Sequence, residues 1–223
     1  MPKTGVDGYH PPLEEYLKTI YELEEEGIPA IRARLAERLG HSPPTITEMV
    51  SRLIDNGYLE TEGKQLQMTA EGRAQAESVV RRHRLAERFL VEIIGIDWPK
   101  AHQEADRWEH VISGDVEPRL VQLMNNPQTC PHGNPIPGSG APHLNLDPLA
   151  ESQPGDHVRL RRIAECVEID LETLSYLDAH NFRPGTSALV SDRAPDGTLT
   201  IDTGGDIIAI SKSLATYLYV DRP

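Results

Sequence analysis

Only two cysteines, Cys130 and Cys166, occur among the 223 residues. That excludes a disulfide-stapled framework and suits a reducing compartment. No apolar run approaches the roughly 20 residues needed to span a bilayer. The N-terminus, MPKTGVDGYHPP, lacks the apolar core of a secretory signal. The expectation is a cytoplasmic protein with no membrane partner. Basic charge is also short: 22 Lys and Arg stand against 35 Asp and Glu, a net charge of −13. A surface that coats nucleic acid broadly is thereby excluded. Residues 1–75 alone carry 8 basic and 13 acidic side chains. Any DNA contact must then come from local basic clusters, and any concentration of acid calls for a neutralising cation. Internal repeats, an H-E-x-x-H motif and a nucleophile motif are missing as well. No catalytic residue is assigned, and no enzyme is expected.

What is present is a globular composition, 38% hydrophobic and 26% charged, long enough for one large or two small cores. LEEYLKTIYELEE places Leu13, Tyr16, Leu17, Ile20, Tyr21 and Leu23 at helical spacing. IRARLAERLG is a second helix closed by Gly40. A third follows Ser42, the expected N-cap, with Pro43 at its first position and a stripe of Ile46, Met49, Val50 and Leu53. YLETEGKQLQMT reads as two short strands around a tight turn. The order is that of a winged helix-turn-helix.

A long helix is expected from Ala70 to about Ile94, another after Pro99, and a further one from about Val116 to Met124. The following stretch holds seven prolines and four glycines and reads as a linker or extended arm. Beyond residue 155, short strands and turns around the amphipathic LETLSYLDAH suggest a small, bent, SH3-like β domain. The expected fold is therefore mainly α with small β parts. Its divisions are 1–75 for the DNA-binding domain and 76–140 for a helical dimerisation and metal-binding domain. Residues 141–154 form a linker, and 155–223 form the SH3-like domain.

The chemistry concentrates in two helices. In HQEADRWEH, residues His102, Asp106, Glu109 and His110 fall at i, i+4, i+7 and i+8, on one helical face. In RRHRLAERF, His83 and Glu87 stand at i and i+4. Antiparallel helices joined by the short GIDWP turn would bring these faces together. A solvated, salt-bridged surface is the competing reading of such spacing. Imidazole nitrogen and carboxylate oxygen together suit manganese, iron, cobalt, nickel or zinc.

YLKTIYELEEEG, RARLAERLGHSPPTITEMVSRL, LQMTAEGR, RRHRLAERFLVEIIGID, HQEADRWEHVIS and PHGNPIPG are phrases that resemble the diphtheria toxin repressor family, the iron- and manganese-dependent repressors. The likeness covers nearly all of residues 13–140 and extends more weakly over the C-terminal β domain. It implies a homodimer that binds palindromic double-stranded operator DNA when a divalent metal is present. It also implies an ancillary metal site from His83, Glu87 and His102. The family completes that site with an E-x-x-Q pair on the SH3-like domain. Glu165 and Glu168 hold that spacing here, with Glu in place of Gln. Glu109 and His110 match the primary, regulatory site.

Two further primary positions depart from the iron sensors of the family. Glu15 and Asp106 stand where those carry Met and Cys. Carboxylate for thioether and thiolate hardens the site, which points to Mn²⁺, with Fe²⁺ as the rival. Co, Ni, Zn and Cd are expected to substitute in vitro. Lys18 occupies the place of a further acidic ligand in short manganese sensors, so their closely paired two-metal arrangement is not expected.

Ser42, Pro43, Pro44, Thr45, Thr47 and Glu48 lie at the start of the helix that should enter the major groove. Arg32, Arg34, Arg52 and Lys64 are candidate phosphate contacts. A metal-dependent hydrolase and a metal-buffering protein are the alternative functions. A third metal site at Cys130 and His132 is conceivable, although both lie in the proline-rich stretch and read there as plain linker residues.

Overall fold

The computed structural model describes residues 13–222. The chain divides into two compact units with the boundary between Arg81 and Arg82. The first unit opens with helix α1, Leu13–Glu25, which buries Tyr16, Leu17, Ile20 and Leu23. Helix α2, Arg32–Leu39, stops at Gly40, whose φ of 65° is the left-handed conformation glycine adopts without penalty. Helix α3, Pro43–Asp55, begins as its sequence demands. Ser42 is extended and its side chain accepts from the Thr45 N–H, while Pro43 gives up only an N–H that has no helical partner. Ile46, Met49, Val50 and Leu53 face the core.

Strands β1, Leu59–Glu62, and β2, Gln65–Met68, form an antiparallel hairpin with Glu62 opposite Gln65. Helix α4, Ala70–Phe89, starts hard against this wing. A Cβ on Gly72 would lie 2.0 Å from the Tyr58 carbonyl oxygen, so only glycine fits there. A core of Tyr16, Ile20, Leu35, Ile46, Leu53, Leu59 and Leu66 completes the winged helix-turn-helix.

The second unit contains the rest of α4. The helix does not run evenly to Ile94. It widens into a π-turn at Leu90–Ile94 and ends at Gly95, φ 80°. A 3-10 turn, Trp98–Lys100, leads into helix α5, Ala101–Trp108, and helix α6 follows at Glu117–Leu123. Leu85, Ala86, Leu90, Ala105, Ile112, Leu120, Met124 and Ile136 form one core.

The chain then builds a six-stranded antiparallel sheet in the order β3-β8-β4-β5-β6-β7. Its strands are β3 Asp147–Pro148, β4 His157–Ile163, β5 Ser187–Arg193, β6 Leu199–Asp202, β7 Ile207–Ile210 and β8 Leu218–Asp221. Register shifts between Leu160 and Arg162 and between Val190 and Asp192 bend the sheet. Helices α7, Glu165–Glu168, α8, Leu171–Ala179, and α9, Lys212–Ala215, accompany it. Asp170 caps α8 by accepting from the Glu172 and Thr173 N–H groups. Leu149, Val158, Leu160, Phe182, Val190, Ile201 and Val220 fill the core. The mainly helical chain with a C-terminal SH3-like sheet is the fold class the sequence implies.

Two segments differ from their sequence reading. DHVRLRRIAE is not strand to its end, because the strand stops at Ile163 and Ala164 begins α7, whose single turn carries Glu165 and Glu168. Within 141–154, Asp147–Pro148 pair with β8, and Leu149 is fully buried because its apolar side chain has the sheet's core to fill. No helix among the described residues is long and apolar enough to cross a membrane.

Candidate metal centre

Helix α4 supplies His83, Arg84 and Glu87 one turn apart, and α5 with its continuation supplies His102, Asp106, Glu109 and His110. His83, Glu87 and Glu109 are each 0% exposed, so this is no solvated salt-bridge face. His83 occupies the centre. Its Nδ1 lies 2.5 Å from Glu109 Oε2 and 3.7 Å from Asp106 Oδ1. Its Nε2 lies 3.1 Å from His102 Nδ1, 3.4 Å from Glu87 Oε1 and 3.6 Å from Glu165 Oε1. His110 Nε2 stands 3.4 Å from Glu109 Oε1.

The C-terminal sheet brings the other half. Helix α7 buries Glu165 and Glu168. Arg84, fully buried, donates to Glu165 Oε2 at 3.1 Å and to the Pro135 carbonyl at 2.6 Å. Glu168 Oε2 lies 3.4 Å from His102 Nδ1.

Two more donors come from the proline-rich stretch. His132 Nδ1 lies 2.8 Å from Glu168 Oε2 and 3.2 Å from Glu87 Oε1, and Cys130 is buried beside them. The thiol, the imidazole and the two carboxylates can each place a ligand atom within 4.8 Å of all the others. His83, His102 and Glu165 form a second such group, and His83, Asp106 and Glu109 a third.

Local structure explains why residues 129–135 are not a free arm. The Cys130 N–H donates to the Asn134 carbonyl, the Ile163 N–H donates to the His132 carbonyl, and Trp98 Nε1 donates to the Pro131 carbonyl. Asn134 Nδ2 donates to Glu168 Oε1 at 2.5 Å and to the Ile163 carbonyl at 2.8 Å, so one oxygen of Glu168 is held while the other faces His132. Gly133, at φ 90°, passes so near β4 that a Cβ would sit 1.9 Å from the Arg161 carbonyl oxygen.

The electrostatics fit a cation. Burial raises the Glu87 carboxyl, but the facing His132 and His83 imidazoles overcome it and hold the group well below its ordinary value. Burial disfavours charge on His102, yet Asp106, Glu168 and Glu87 hold it well above the usual imidazole range. His132 is raised in the same way by Glu168 and Glu87. Glu165 is lowered because Arg84 and His83 outweigh its burial. At Glu168 burial prevails and the carboxyl is raised, as is the Cys130 thiol. Glu87 Oε2 and His132 Nε2 are buried without a hydrogen-bond partner, while His132 Nδ1 and Glu168 Oε2 face each other as an ion pair. Buried polar atoms are rarely left so, and a divalent ion satisfies such a set.

The remaining expected residues lie in the first unit. Glu15 occupies the first turn of α1. Ser42, Pro43, Pro44, Thr47, Glu48, Arg52 and Lys64 are exposed, Arg32 and Thr45 half-buried. Ser42 is occupied as a cap, and Thr47 Oγ1 donates to the Pro43 carbonyl at 2.9 Å. Arg34 pairs with Glu37 on the surface, and Arg52 Nη1 lies 3.6 Å from Met49 Sδ.

Three family models match the chain. Residues 10–65 match "Iron dependent repressor, N-terminal DNA binding domain". Residues 69–138 match "Iron dependent repressor, metal binding and dimerisation domain", and residues 148–222 match "FeoA domain". The Iron-dependent repressor IdeR of Mycobacterium tuberculosis is 41% identical over 221 residues, covering 94% of this chain and 96% of that protein. The Diphtheria toxin repressor of Corynebacterium diphtheriae is 39% identical over 220 residues, again 94% and 96%. A solved manganese-dependent transcriptional repressor in complex with manganese superposes with a TM-score of 0.85 at 29% identity, covering 95% of this chain and all of that one. The manganese regulator SloR superposes with a TM-score of 0.79 at 27% identity, covering 96% and 100%.

Proposed function

The chain belongs to the diphtheria toxin repressor family, and from that premise we propose a Mn²⁺-responsive transcriptional repressor that controls genes of metal uptake and homeostasis. It acts as a homodimer on palindromic operator DNA, in the cytoplasm. The observation that carries the metal-responsive reading is the buried constellation of imidazole, carboxylate and thiol in a chain that also carries a winged helix-turn-helix.

We assign Asp106, Glu109 and His110 to the regulatory ion, and Glu15 to the same ion on family resemblance alone. Oxygen donors at Glu15 and Asp106 favour a hard cation, which selects Mn²⁺ ahead of Fe²⁺. His83, Glu87, His102, Glu165 and Glu168 form the ancillary centre, and Cys130 and His132 face two of its carboxylates, Glu87 and Glu168. The bound cation supplies positive charge that offsets the mutual repulsion of the carboxylates. The protein's own contribution is to hold those carboxylates on α4, α5 and α7, out of water. Helix α3 presents small hydroxyls and prolines, suited to phosphate and thymine-methyl contacts. Arg32, Arg34, Arg52 and Lys64 neutralise phosphates. A gel-shift series on palindromic operator DNA with Mn²⁺, Fe²⁺, Zn²⁺ and chelator tests this reading. Retardation should need metal and be strongest with Mn²⁺. Equal retardation in chelator refutes metal control, and a stronger Fe²⁺ response assigns the chain to the iron sensors.

A further inference from the structure

We propose that His83 couples the ancillary centre to the regulatory one, binding the ancillary ion through Nε2 and holding Glu109 through Nδ1. The inference rests on the assignment of the two metal centres above. Its basis is the placement of one ring between two donor groups. Nδ1 is 2.5 Å from Glu109 Oε2, a close hydrogen-bond contact between an imidazole nitrogen and a carboxylate oxygen. Nε2 faces His102 Nδ1, Glu87 Oε1 and Glu165 Oε1 at 3.1, 3.4 and 3.6 Å. Those separations suit donors about 2.0–2.2 Å from one transition-metal ion.

A neutral imidazole has one N–H and one lone pair. If Nδ1 donates to Glu109, the lone pair is at Nε2 and points to the ancillary group. A metal-ligating histidine commonly donates its other ring N–H to a carboxylate, which fixes ring and tautomer. Here that carboxylate is itself a regulatory ligand. Glu109 therefore divides its oxygens, Oε2 to His83 and Oε1 toward His110. His83 and Glu109 are both 0% exposed, so bulk water has no ready access to take over either contact. Occupancy of the ancillary centre locks the ring, the ring locks Glu109, and the regulatory ion meets a prearranged carboxylate. His83 is thus a positioning residue for the regulatory site, and the ancillary centre is regulatory as well as structural.

The test uses the full-length, metal-stripped protein and Mn²⁺ alone, with free Mn²⁺ read by electron paramagnetic resonance. The regulatory ion is identified as the one whose binding His110→Ala abolishes. Glu165→Gln keeps a partner for Arg84 while weakening the ancillary centre. It should weaken regulatory Mn²⁺ binding about tenfold, within the usual range of coupling between sites. In a His83→Leu background, Glu165→Gln should leave regulatory affinity unchanged. Equal losses in both backgrounds, or no loss with His83 present, overturn the coupling.

Should His83→Leu fail to fold, nitrogen-15 histidine spectra of Zn²⁺-loaded wild type decide the point. The expected result is a protonated Nδ1 and a metal-shifted Nε2. A metal-shifted Nδ1 overturns the proposal. No DNA enters these measurements, so coupled metal binding without operator binding would sink the repressor reading and leave this inference standing. Binding of fewer than two ions per chain refutes the two-centre assignment and the coupling with it.

Discussion

His132 Nδ1 lies 2.8 Å from Glu168 Oε2, and both side chains are fully buried. A residue from a proline-rich stretch thus meets a carboxylate from the C-terminal domain, with Glu87 and Cys130 completing the group. If this group holds an ion, Cys130→Ser and His132→Ala should each lower bound metal by about one ion per chain in elemental analysis. Co²⁺-loaded wild type should show a thiolate charge-transfer band that Cys130→Ser removes. Full stoichiometry and no band in wild type would exclude Cys130 and His132 as ligands.

Metal loading should release protons. His102 and His132 are held well above the ordinary imidazole value, and the Cys130 thiol is raised, yet all must lose protons to ligate. Affinity at the ancillary centre should therefore climb with pH to well above neutrality. Calorimetry in buffers of different ionisation enthalpy measures the protons released. A pH-independent affinity with no release would contradict this.

The metal-free protein should show the opposite trend. The raised imidazoles contribute stability that is complete below the ordinary imidazole value of 6.5 and is lost as pH climbs through their folded values. The lowered Glu87 contributes stability above the ordinary carboxyl value of 4.5, lost as pH falls through its folded value. Metal-free thermal stability should peak between these values and decline at alkaline pH, while the metal-loaded protein should hold its stability there. Matching alkaline profiles with and without metal would count against the buried ion pairs.

Gly133 gives a backbone test of the same loop. Alanine there meets the Arg161 carbonyl at 1.9 Å and must also adopt a φ of 90°. Such strain costs on the order of 1–3 kcal/mol before any rearrangement. Gly133→Ala should lower the melting temperature and strip the ancillary ion, because Cys130 and His132 move with the loop. Unchanged stability and stoichiometry would show that the loop's close approach does not hold the centre.

Selectivity depends on Asp106. Asp106→Cys softens the regulatory site and should shift activation from Mn²⁺ toward Fe²⁺. Glu15→Ala should weaken Mn²⁺-dependent DNA binding by at least tenfold, roughly the loss of one charged ligand. An unaltered metal ranking in the first, or full Mn²⁺ response in the second, would overturn the ligand assignment.

Much of this was legible in the sequence where side-chain period and local structure agree. The stripe Ile46, Met49, Val50 and Leu53 marks α3, and Ser42 with Pro43 marks its start. The i, i+4 spacings of His83 with Glu87 and of His102 with Asp106 put ligands on two helix faces. Cys130 and His132 gave no comparable signal. Their ligand partners are far away in sequence, and a run of prolines and glycines resembles a free linker until Asn134, Gly133 and the Ile163 N–H fix it to β4. The role of Glu168 was visible as a spacing, but its setting on a one-turn helix was not, because the preceding residues continue a strand pattern. The π-turn at Leu90–Ile94 likewise leaves no mark in an apolar run that suits an α-helix equally well.

In the proposed mechanism, metal controls DNA binding through the regulatory carboxylates. Fluorescence anisotropy on a palindromic operator duplex, with Mn²⁺ and then with excess chelator, tests it most directly when run on wild type and Glu109→Gln. Wild type should bind tightly with Mn²⁺ and at least tenfold more weakly in chelator, and Glu109→Gln should bind as weakly as in chelator even with Mn²⁺ present. Equal affinity in all of these conditions would contradict it.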